Sequence, residues 1–139
     1  MKRSYPGSDL DREVAAAVDV IYEDLSERRW DALEAHFLPE ASLVFSTPKG
    51  PTRMSPPKFI EMMQKNLEGK TVFGERMAHA WVRTHGAMAM VWSTFEGRLG
   101  TETEVKTWAG VDCWTLVNVQ GRWKISQVTV SVDPPPKAD

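Results

Sequence analysis

The chain lacks several features that mark specialised classes of protein. Cys113 is the only cysteine among 139 residues, so no internal disulfide can form; a small apolar strand residue is its simplest role, and a catalytic thiol the alternative. No stretch of about 18 apolar residues occurs, and the N-terminus carries no apolar signal-peptide core. We therefore expect a soluble, cytoplasmic protein that does not associate with a membrane.

Local concentrations of positive charge and of metal ligands are also scarce. Seventeen basic and nineteen acidic side chains give a net charge of -2, and no run of lysine or arginine exceeds two. Nucleic-acid binding usually requires a basic stripe, so we expect no nucleic-acid partner. The three histidines show no HxxxH spacing, and there is no cysteine pair. We expect no metal and no cofactor.

What the chain does contain is typical of one compact domain. Apolar residues make up 42% of the sequence and charged residues 26%, a balance typical of globular proteins. We expect a single domain over residues 1–139, with short flexible ends at 1–7 and 134–139. Six tryptophans are many for this length. They indicate either a well-filled core or an aromatic-lined cavity or interface.

The first half of the chain has mainly helical periodicity. Apolar residues recur at three- and four-residue steps, and they predict helices over residues 9–25, 30–37 and 55–67. Pro39 ends the second helix and Gly69 the third. A short strand is predicted at residues 41–46, followed by a polar loop.

From Val72 the period changes to two, which predicts strands. The expected strands are one from Val72 to a tight turn at His85-Gly86, and then residues 87–95, about 103–119 and 122–132. Gly121 marks a tight hairpin between the last two, and the prolines after Asp133 end the sheet. Helices followed by consecutive strands indicate the α+β class. We predict about three helices packed on a strongly curved antiparallel sheet, forming a cone with a cavity inside.

Three stretches of sequence resemble one known superfamily: residues 29–43, residues 85–91 and, most closely, the terminal hairpin at residues 114–125. They are similar to the nuclear transport factor 2-like superfamily, which includes SnoaL-like, ketosteroid isomerase-like and candidate lumazine-binding domains. The resemblance spans roughly Asp9 to Val132. It implies a cystatin-like roll with an internal pocket, often dimeric through the outer face of the sheet.

The resemblance also bears on chemistry. The isomerases of this superfamily use a carboxylate base in the short strand after the second helix, with a tyrosine and a protonated acid as oxyanion donors. Residues 41–48 contain no Asp or Glu, so steroid isomerisation by that route is not expected. Tyr22 and Asp112 lie near the positions of the tyrosine and the acid, and the resemblance implies that they are pocket residues.

Asp112 stands out from its own neighbours as well. It shares strand parity with Trp108, Gly110, Trp114 and Leu116. A buried carboxylate must pair, accept hydrogen bonds or take up a proton. We therefore interpret Asp112 as a pocket acid that binds a ligand hydroxyl or moves a proton. The alternative is an acid on the sheet surface or at a dimer face, salt-bridged to an arginine such as Arg98 or Arg76.

His79 is a second candidate for proton transfer, because a histidine changes charge near neutral pH. It shares strand parity with Met77 and Trp81. If that face of the strand faces the cavity, His79 can carry a proton to or from a ligand. The alternative is a hydrogen-bonded structural histidine. The predicted lining of the cavity consists of aromatic and flexible side chains: Trp81, Trp92, Trp108, Trp114, Phe45 and Met63.

These observations leave three hypotheses for the function. The first is a homodimer with a pocket for a small hydrophobic or aromatic molecule, joined through the apolar outer face of the sheet. The second is a SnoaL-like enzyme that uses Asp112 and His79 as acid and base, and Tyr22 as oxyanion donor, on a polyketide- or terpenoid-like substrate. The third, an association module of a larger assembly, is disfavoured by the lack of a further domain. Asp112 and His79 must share one cavity for the second hypothesis to hold.

Overall fold

A computed structural model describes residues 7–134 of the protein. Within this range the chain forms three helices and six strands. In chain order they are α1 (Asp9–Ser26), α2 (Trp30–Ala35), β1 (Phe37–Thr47), β2 (Gly50–Met54), α3 (Pro56–Asn66), β3 (Val72–His85), β4 (Met88–Gly100), β5 (Val105–Val119) and β6 (Arg122–Val132). The predicted flexible ends lie outside the described residues, apart from Gly7 and Pro134.

The strands form one curled sheet in the order β2-β1-β6-β5-β4-β3. This curled sheet, together with the few helices, confirms the predicted α+β class. The pairs from β3 to β6 are antiparallel, as expected for strands joined by short turns. The prediction of a wholly antiparallel sheet is wrong at one place, because β1 pairs β6 in parallel. These two strands are far apart in the sequence, so no hairpin fixes their relative direction.

The segment around β1 and β2 differs most from the prediction. Helix α2 ends at Ala35, and β1 begins at Phe37 and runs through Pro39. The ladder to β6 is interrupted between Phe37 and Ser42, so Pro39 removes no regular hydrogen bond there. The predicted polar loop contains β2, whose only partner is β1. An edge position tolerates the proline and the polar residues of this strand.

Helix α1 covers the inner face of the sheet and packs mainly on β3. It begins with a capping box, in which Ser8 Oγ accepts from the backbone N–H of Asp11 and the Asp11 carboxylate accepts from that of Ser8. Thr84, at the end of β3, donates a 2.7 Å hydrogen bond to the same carboxylate. One stripe of the helix is buried, and it includes Val14, Val18 and Tyr22.

A bulge in β3 reverses the face of half the strand. The pairing with β4 shifts between Met77 and His79, and the extra residue bends the strand. Met77 is fully buried, whereas His79, Trp81 and Arg83 are exposed on the outer face. The prediction that these four residues share a face is therefore wrong for Met77.

Two glycines on the inner face make room for aromatic rings. A Cβ at Gly97 would lie 2.3 Å from the indole of Trp108, the neighbour across β4 and β5. A Cβ at Gly110 would lie 2.9 Å from the ring of Phe95. Both rings therefore lie close against the sheet, and they form part of the interior described below.

Candidate functional site

A polar cluster lies inside the apolar interior, where α1 faces β4 and β5. Tyr22 comes from the buried stripe of α1, Ser93 from β4, and Asp112 and Trp114 from β5. Ser93 and Asp112 are direct cross-strand neighbours. Ser93 is fully buried and Asp112 is 5% exposed. Buried polar groups need partners, and these four side chains supply them for one another.

Hydrogen bonds connect the four side chains of the cluster to one another. The Tyr22 hydroxyl donates to Oδ2 of Asp112 and lies 2.8 Å from Ser93 Oγ. The indole N–H of Trp114 donates to Ser93 Oγ at 2.9 Å. Because Tyr22 uses its proton on Asp112, the Ser93 hydroxyl has two acceptors within reach, the Tyr22 oxygen and the backbone oxygen of Asp112 at 3.4 Å. The Tyr22 hydroxyl is the donor that reaches the Asp112 carboxyl group.

The environment of Asp112 keeps its proton near neutral pH. Burial raises the pKa of Asp112 to about 7, although the hydrogen bond from Tyr22 lowers it. Burial and then the charge of Asp112 raise the pKa of Tyr22 far above its usual value, so its hydroxyl stays a donor. Among residues 7–134, none donates a hydrogen bond to the second carboxyl oxygen, Oδ1 of Asp112.

This free oxygen belongs to a residue that lines an internal cavity of about 80 Å³. The walls are almost entirely apolar. Six aromatic residues contribute to them: Tyr22, Phe37, Phe59, Phe95, Trp108 and Trp114. Within residues 7–134, Asp112 and Glu75 are the only lining residues that carry a carboxyl or a basic side chain. A volume of this size corresponds to roughly two or three water molecules.

Glu75 is a residue of this site that the sequence reasoning missed. Its backbone is held by Ser26 at the end of α1, whose hydroxyl donates to Glu75 O at 2.8 Å and accepts from Glu75 N at 2.9 Å. Burial first, and then the charge of Asp112, raise the pKa of Glu75 to about 8. The signal in the sequence was its parity with Phe73 and Met77, which places all three on the inner face before the bulge.

The cavity adjoins a much larger, open groove of about 1110 Å³. Glu75, Trp108 and Val132 line both spaces, so they form the mouth between them. The groove is more polar than the cavity. Its walls include Arg76, which donates to Glu96 at 2.9 Å, and also Arg98, Thr107 and Asp133. A ligand can therefore place a compact end in the cavity and the rest in the groove.

The predicted cavity residues separate into three groups, and the prediction is right for the first group alone. Tyr22, Asp112, Trp108 and Trp114 line the cavity. Phe45 and Met63 pack against the core without lining it, and Phe45 stacks on Phe59 with ring centroids 6.0 Å apart. The structure contradicts the cavity placement of the remaining three residues, His79, Trp81 and Trp92.

These three residues lie on the outer face of the sheet, because the bulge turns His79 outward and parity places Trp92 there. Trp81 and Trp92 are directly paired across β3 and β4 and are about half exposed. His79 is exposed, with its ring centroid 6.1 Å from that of Trp81. His79 and Asp112 therefore lie on opposite faces, and an acid–base pair made of these two residues is ruled out.

The alternative for Asp112, an ion pair on the sheet surface, is also wrong. Asp112 is buried among the inner-face residues, and Arg76 pairs with Glu96 on the exposed side. Within residues 7–134 no group of three or more histidine, cysteine, aspartate or glutamate side chains could hold a metal ion. Over the same range no helix is long and apolar enough to cross a membrane.

Comparison with known sequences identifies one family. A family model described as a SnoaL-like domain matches residues 14–135, which is most of the chain. No curated protein matches the sequence.

Solved structures of similar fold cover most of the chain at low sequence identity. A candidate calcium/calmodulin-dependent protein kinase II association domain from Xanthomonas campestris is 17% identical, with 96% of this chain and 94% of that chain covered and a TM-score of 0.76. A candidate scytalone dehydratase from Novosphingobium aromaticivorans is 13% identical, with 88% and 83% covered and a TM-score of 0.75. A ketosteroid isomerase-like protein from Erwinia carotovora atroseptica is 16% identical, with 93% and 100% covered and a TM-score of 0.70. At these identities the likeness shows the fold alone.

Proposed function

The chain belongs to the SnoaL-like domain family, within the nuclear transport factor 2-like superfamily, and on this basis we propose that it is a single-domain, pocket-bearing homodimer that binds a small hydrophobic or aromatic molecule. The helices and the curled sheet form a cone around the site. The observation that carries the proposal is the apolar cavity in which Asp112 keeps one carboxyl oxygen free.

The volumes bound the size of the ligand. An engineered apolar cavity of about 150 Å³ accepts benzene, and the cavity here is about half as large. Only a compact end of the ligand therefore fits beside Tyr22 and Trp114. The remainder extends past Trp108 into the groove, which is wide enough for a ring system. Binding is driven by burial of apolar surface, and Asp112 fixes the orientation through a hydroxyl or carbonyl group of the ligand.

A cavity-filling substitution tests this pocket. Val130 lines the cavity, and Val130→Phe adds enough volume to occupy it. The measurement is NMR titration with small neutral aromatic and terpenoid alcohols, followed at the indole N–H signals of Trp108 and Trp114. We expect shifts with the native protein and none with Val130→Phe. The matched control is Val119→Phe at an exposed position beside the last turn, which should bind normally. Failure of the native protein to respond to any probe would refute the pocket.

The proposed dimer rests on the outer face of the sheet. Trp81, Met88, Met90 and Trp92 are between 47% and 58% exposed there. They are adjacent across β3 and β4, so they form one apolar patch, and contiguous patches of this kind mark interfaces. A second copy related by a twofold axis presents the same patch and covers it.

Light scattering tests the dimer. We expect a dimer at micromolar concentration for the native protein and a monomer for Trp92→Glu, because an unpaired carboxylate in the interface is costly. Val20→Glu is the matched control, since Val20 is exposed on α1 away from the patch. A native monomer under these conditions, or an unchanged dimer in Trp92→Glu, would contradict the proposal.

The second candidate function is a SnoaL-like enzyme that performs isomerisation, cyclisation, dehydration or hydrolysis on a polyketide- or terpenoid-like substrate. The observation in its favour is that two carboxyl groups, Asp112 and Glu75, line one cavity with pKa values of about 7 and about 8. Groups with pKa values near the working pH are efficient general acids and bases. Glu75, which has the higher pKa, would donate a proton at the mouth, and the Asp112 carboxylate, held by the hydrogen bond from Tyr22, would accept one from the substrate.

Turnover of the bound molecule tests this candidate. Asp112→Asn is expected to abolish turnover while the protein stays folded, as shown by its circular dichroism spectrum. Glu61→Gln, at an exposed position on α3 outside both the cavity and the groove, should keep full activity. If Asp112→Asn turns over substrate at the native rate, the acid–base function is excluded and binding alone remains.

A further inference from the structure

The internal cavity combines two carboxyl groups with a complete lack of basic side chains among its lining residues. Asp112 and Glu75 are its only ionisable acids besides Tyr22, and no lysine, arginine or histidine of residues 7–134 lines it. We propose that the ligand of this pocket carries a positively charged nitrogen, and that a small alkylammonium head group occupies the cavity between Asp112 and Glu75. This inference deepens the proposed function and rests on it, because it names the chemical class of the ligand.

The walls suit such a head group. The faces of aromatic rings attract cations, most strongly where water is excluded. Tyr22 and Trp114 meet edge to face in the interior, with ring centroids 5.7 Å apart, and Tyr22 lies 6.3 Å from Phe95. Trp108 adds a further indole at the mouth. Aromatic side chains from α1, β4 and β5 therefore surround the space that lies next to the carboxyl groups.

Both carboxyl groups are available to a cation. Asp112 uses Oδ2 for Tyr22, which leaves Oδ1 for a ligand. Within residues 7–134 the Glu75 carboxyl group forms no ion pair and no side-chain hydrogen bond, and Ser26 holds only its backbone. Arg76, the next residue along the strand, is engaged with Glu96 on the exposed side. The charge that would compensate the two acids is therefore not supplied by the described part of the protein.

The electrostatics follow from the same arrangement. Without a cation, burial makes both acids hold their protons at unusually high pH. A bound ammonium group reverses this effect, because it stabilises the charged carboxylates. Other charged and titratable groups border the two acids from neighbouring elements: Tyr22 of α1, Arg76 of β3, Glu96 and Arg98 of β4, and Asp133 after β6. Of these, only Tyr22 lines the cavity, and it stays neutral.

An isosteric pair of probes separates charge from shape. 3-Aminopropan-1-ol carries a primary ammonium head small enough for the cavity, and butan-1-ol has nearly the same shape with a neutral methyl group in place of the ammonium. Isothermal titration calorimetry with the full chain at pH 9 should show the amino alcohol binding at least tenfold more tightly. Affinity for the amino alcohol should fall at least tenfold between pH 9 and pH 6 as the carboxyl groups take up protons, whereas affinity for the neutral alcohol should not fall.

Variants at the two acids identify the source of the preference. Glu75→Gln and Asp112→Asn should each reduce affinity for the amino alcohol at pH 9 at least fivefold, and should reduce affinity for the neutral alcohol by a smaller factor. Glu61→Gln is the matched control, since Glu61 is exposed on α3 and lines neither the cavity nor the groove, and it should bind the amino alcohol normally.

The outcomes distinguish this inference from the function on which it rests. Equal binding of both probes, or an affinity for the amino alcohol that does not change with pH, overturns the cationic ligand and leaves the pocket standing. Binding of neither probe also overturns the cationic ligand, and combined with no response to the aromatic probes above it overturns the pocket as well.

Discussion

Replacing Asp112 by asparagine should remove a large pH dependence of stability. The carboxyl group has its ordinary pKa of 3.8 when the chain unfolds and a pKa of about 7 when folded. Between these values the folded protein holds a proton that the unfolded chain releases, so the free energy of unfolding falls as pH rises. Moving a pKa from 3.8 to about 7 corresponds to roughly 4 kcal/mol. This decrease in the free energy of unfolding is complete above about pH 7 and does not occur below pH 3.8.

Asparagine stays neutral, and its oxygen can still accept the hydrogen bond from Tyr22. Asp112→Asn should therefore gain stability relative to the native protein as pH rises from 4 to 8, by up to roughly 4 kcal/mol. Urea unfolding followed by fluorescence at fixed protein concentration measures the difference. The comparison is repeated in the Glu75→Gln background, because Glu75 titrates in a neighbouring range, with a pKa of about 8.

Asp11 provides a control, because its contribution to stability changes with pH in the opposite direction. Hydrogen bonds from Thr84 and from the backbone of Ser8 lower the pKa of Asp11. Its contribution to stability is present above the unfolded pKa of 3.8 and is lost as pH falls through the lower, folded value. Asp11→Asn should therefore be less stable than the native protein at neutral pH. The free energy of unfolding of Asp112→Asn is compared with that of the native protein at pH 4 and at pH 8. If the difference is the same at both values, the inference that Asp112 holds a proton in the folded protein is wrong.

Three further substitutions test the surroundings of the site. Tyr22→Phe should destabilise the protein by about 1–3 kcal/mol in urea and raise the pKa of Asp112 above 7, measured by carboxyl-carbon NMR; an unchanged pKa would contradict the hydrogen bond. Gly97→Ala should push Trp108 from the cavity mouth, because its Cβ would lie 2.3 Å from the indole; we expect red-shifted tryptophan fluorescence and a loss of about 1–3 kcal/mol, and native values of both would be evidence against this packing. Ser8→Ala should cost about 1 kcal/mol by removing the cap of α1, and equal urea midpoints would show that the cap does not form.

Local sequence patterns predicted the elements whose structure depends on neighbouring residues. The final hairpin is an example, because Gln120 and Gly121 form a two-residue turn with φ of 52° and 85°, and the strand from Arg122 to Val132 has the predicted bounds. Helix α1 was predicted equally well from the periodicity of its apolar residues. The parallel pairing of β1 with β6 was not, since it joins segments about 85 residues apart, and no local pattern specifies such a contact.

The candidate site was predictable only where strand parity was unbroken. Asp112 and Trp114 alternate regularly along β5, so their placement on one face agreed with their spacing. The bulge after Met77 has no signature in the sequence, and it placed His79 on the opposite face from the one required for catalysis. Glu75 was overlooked because a charged residue beside Arg76 looks like part of an exposed surface. Its burial comes from the end of α1, which packs over it.

The most direct test of the internal cavity is a crystal structure of the native protein pressurised with xenon, a neutral, compact atom that enters apolar voids. A xenon atom is expected between Tyr22, Phe95 and Trp114, and it should be missing from Val130→Phe crystals treated in the same way. Native crystals in which this space contains only protein side chains, without xenon, would contradict the existence of the pocket.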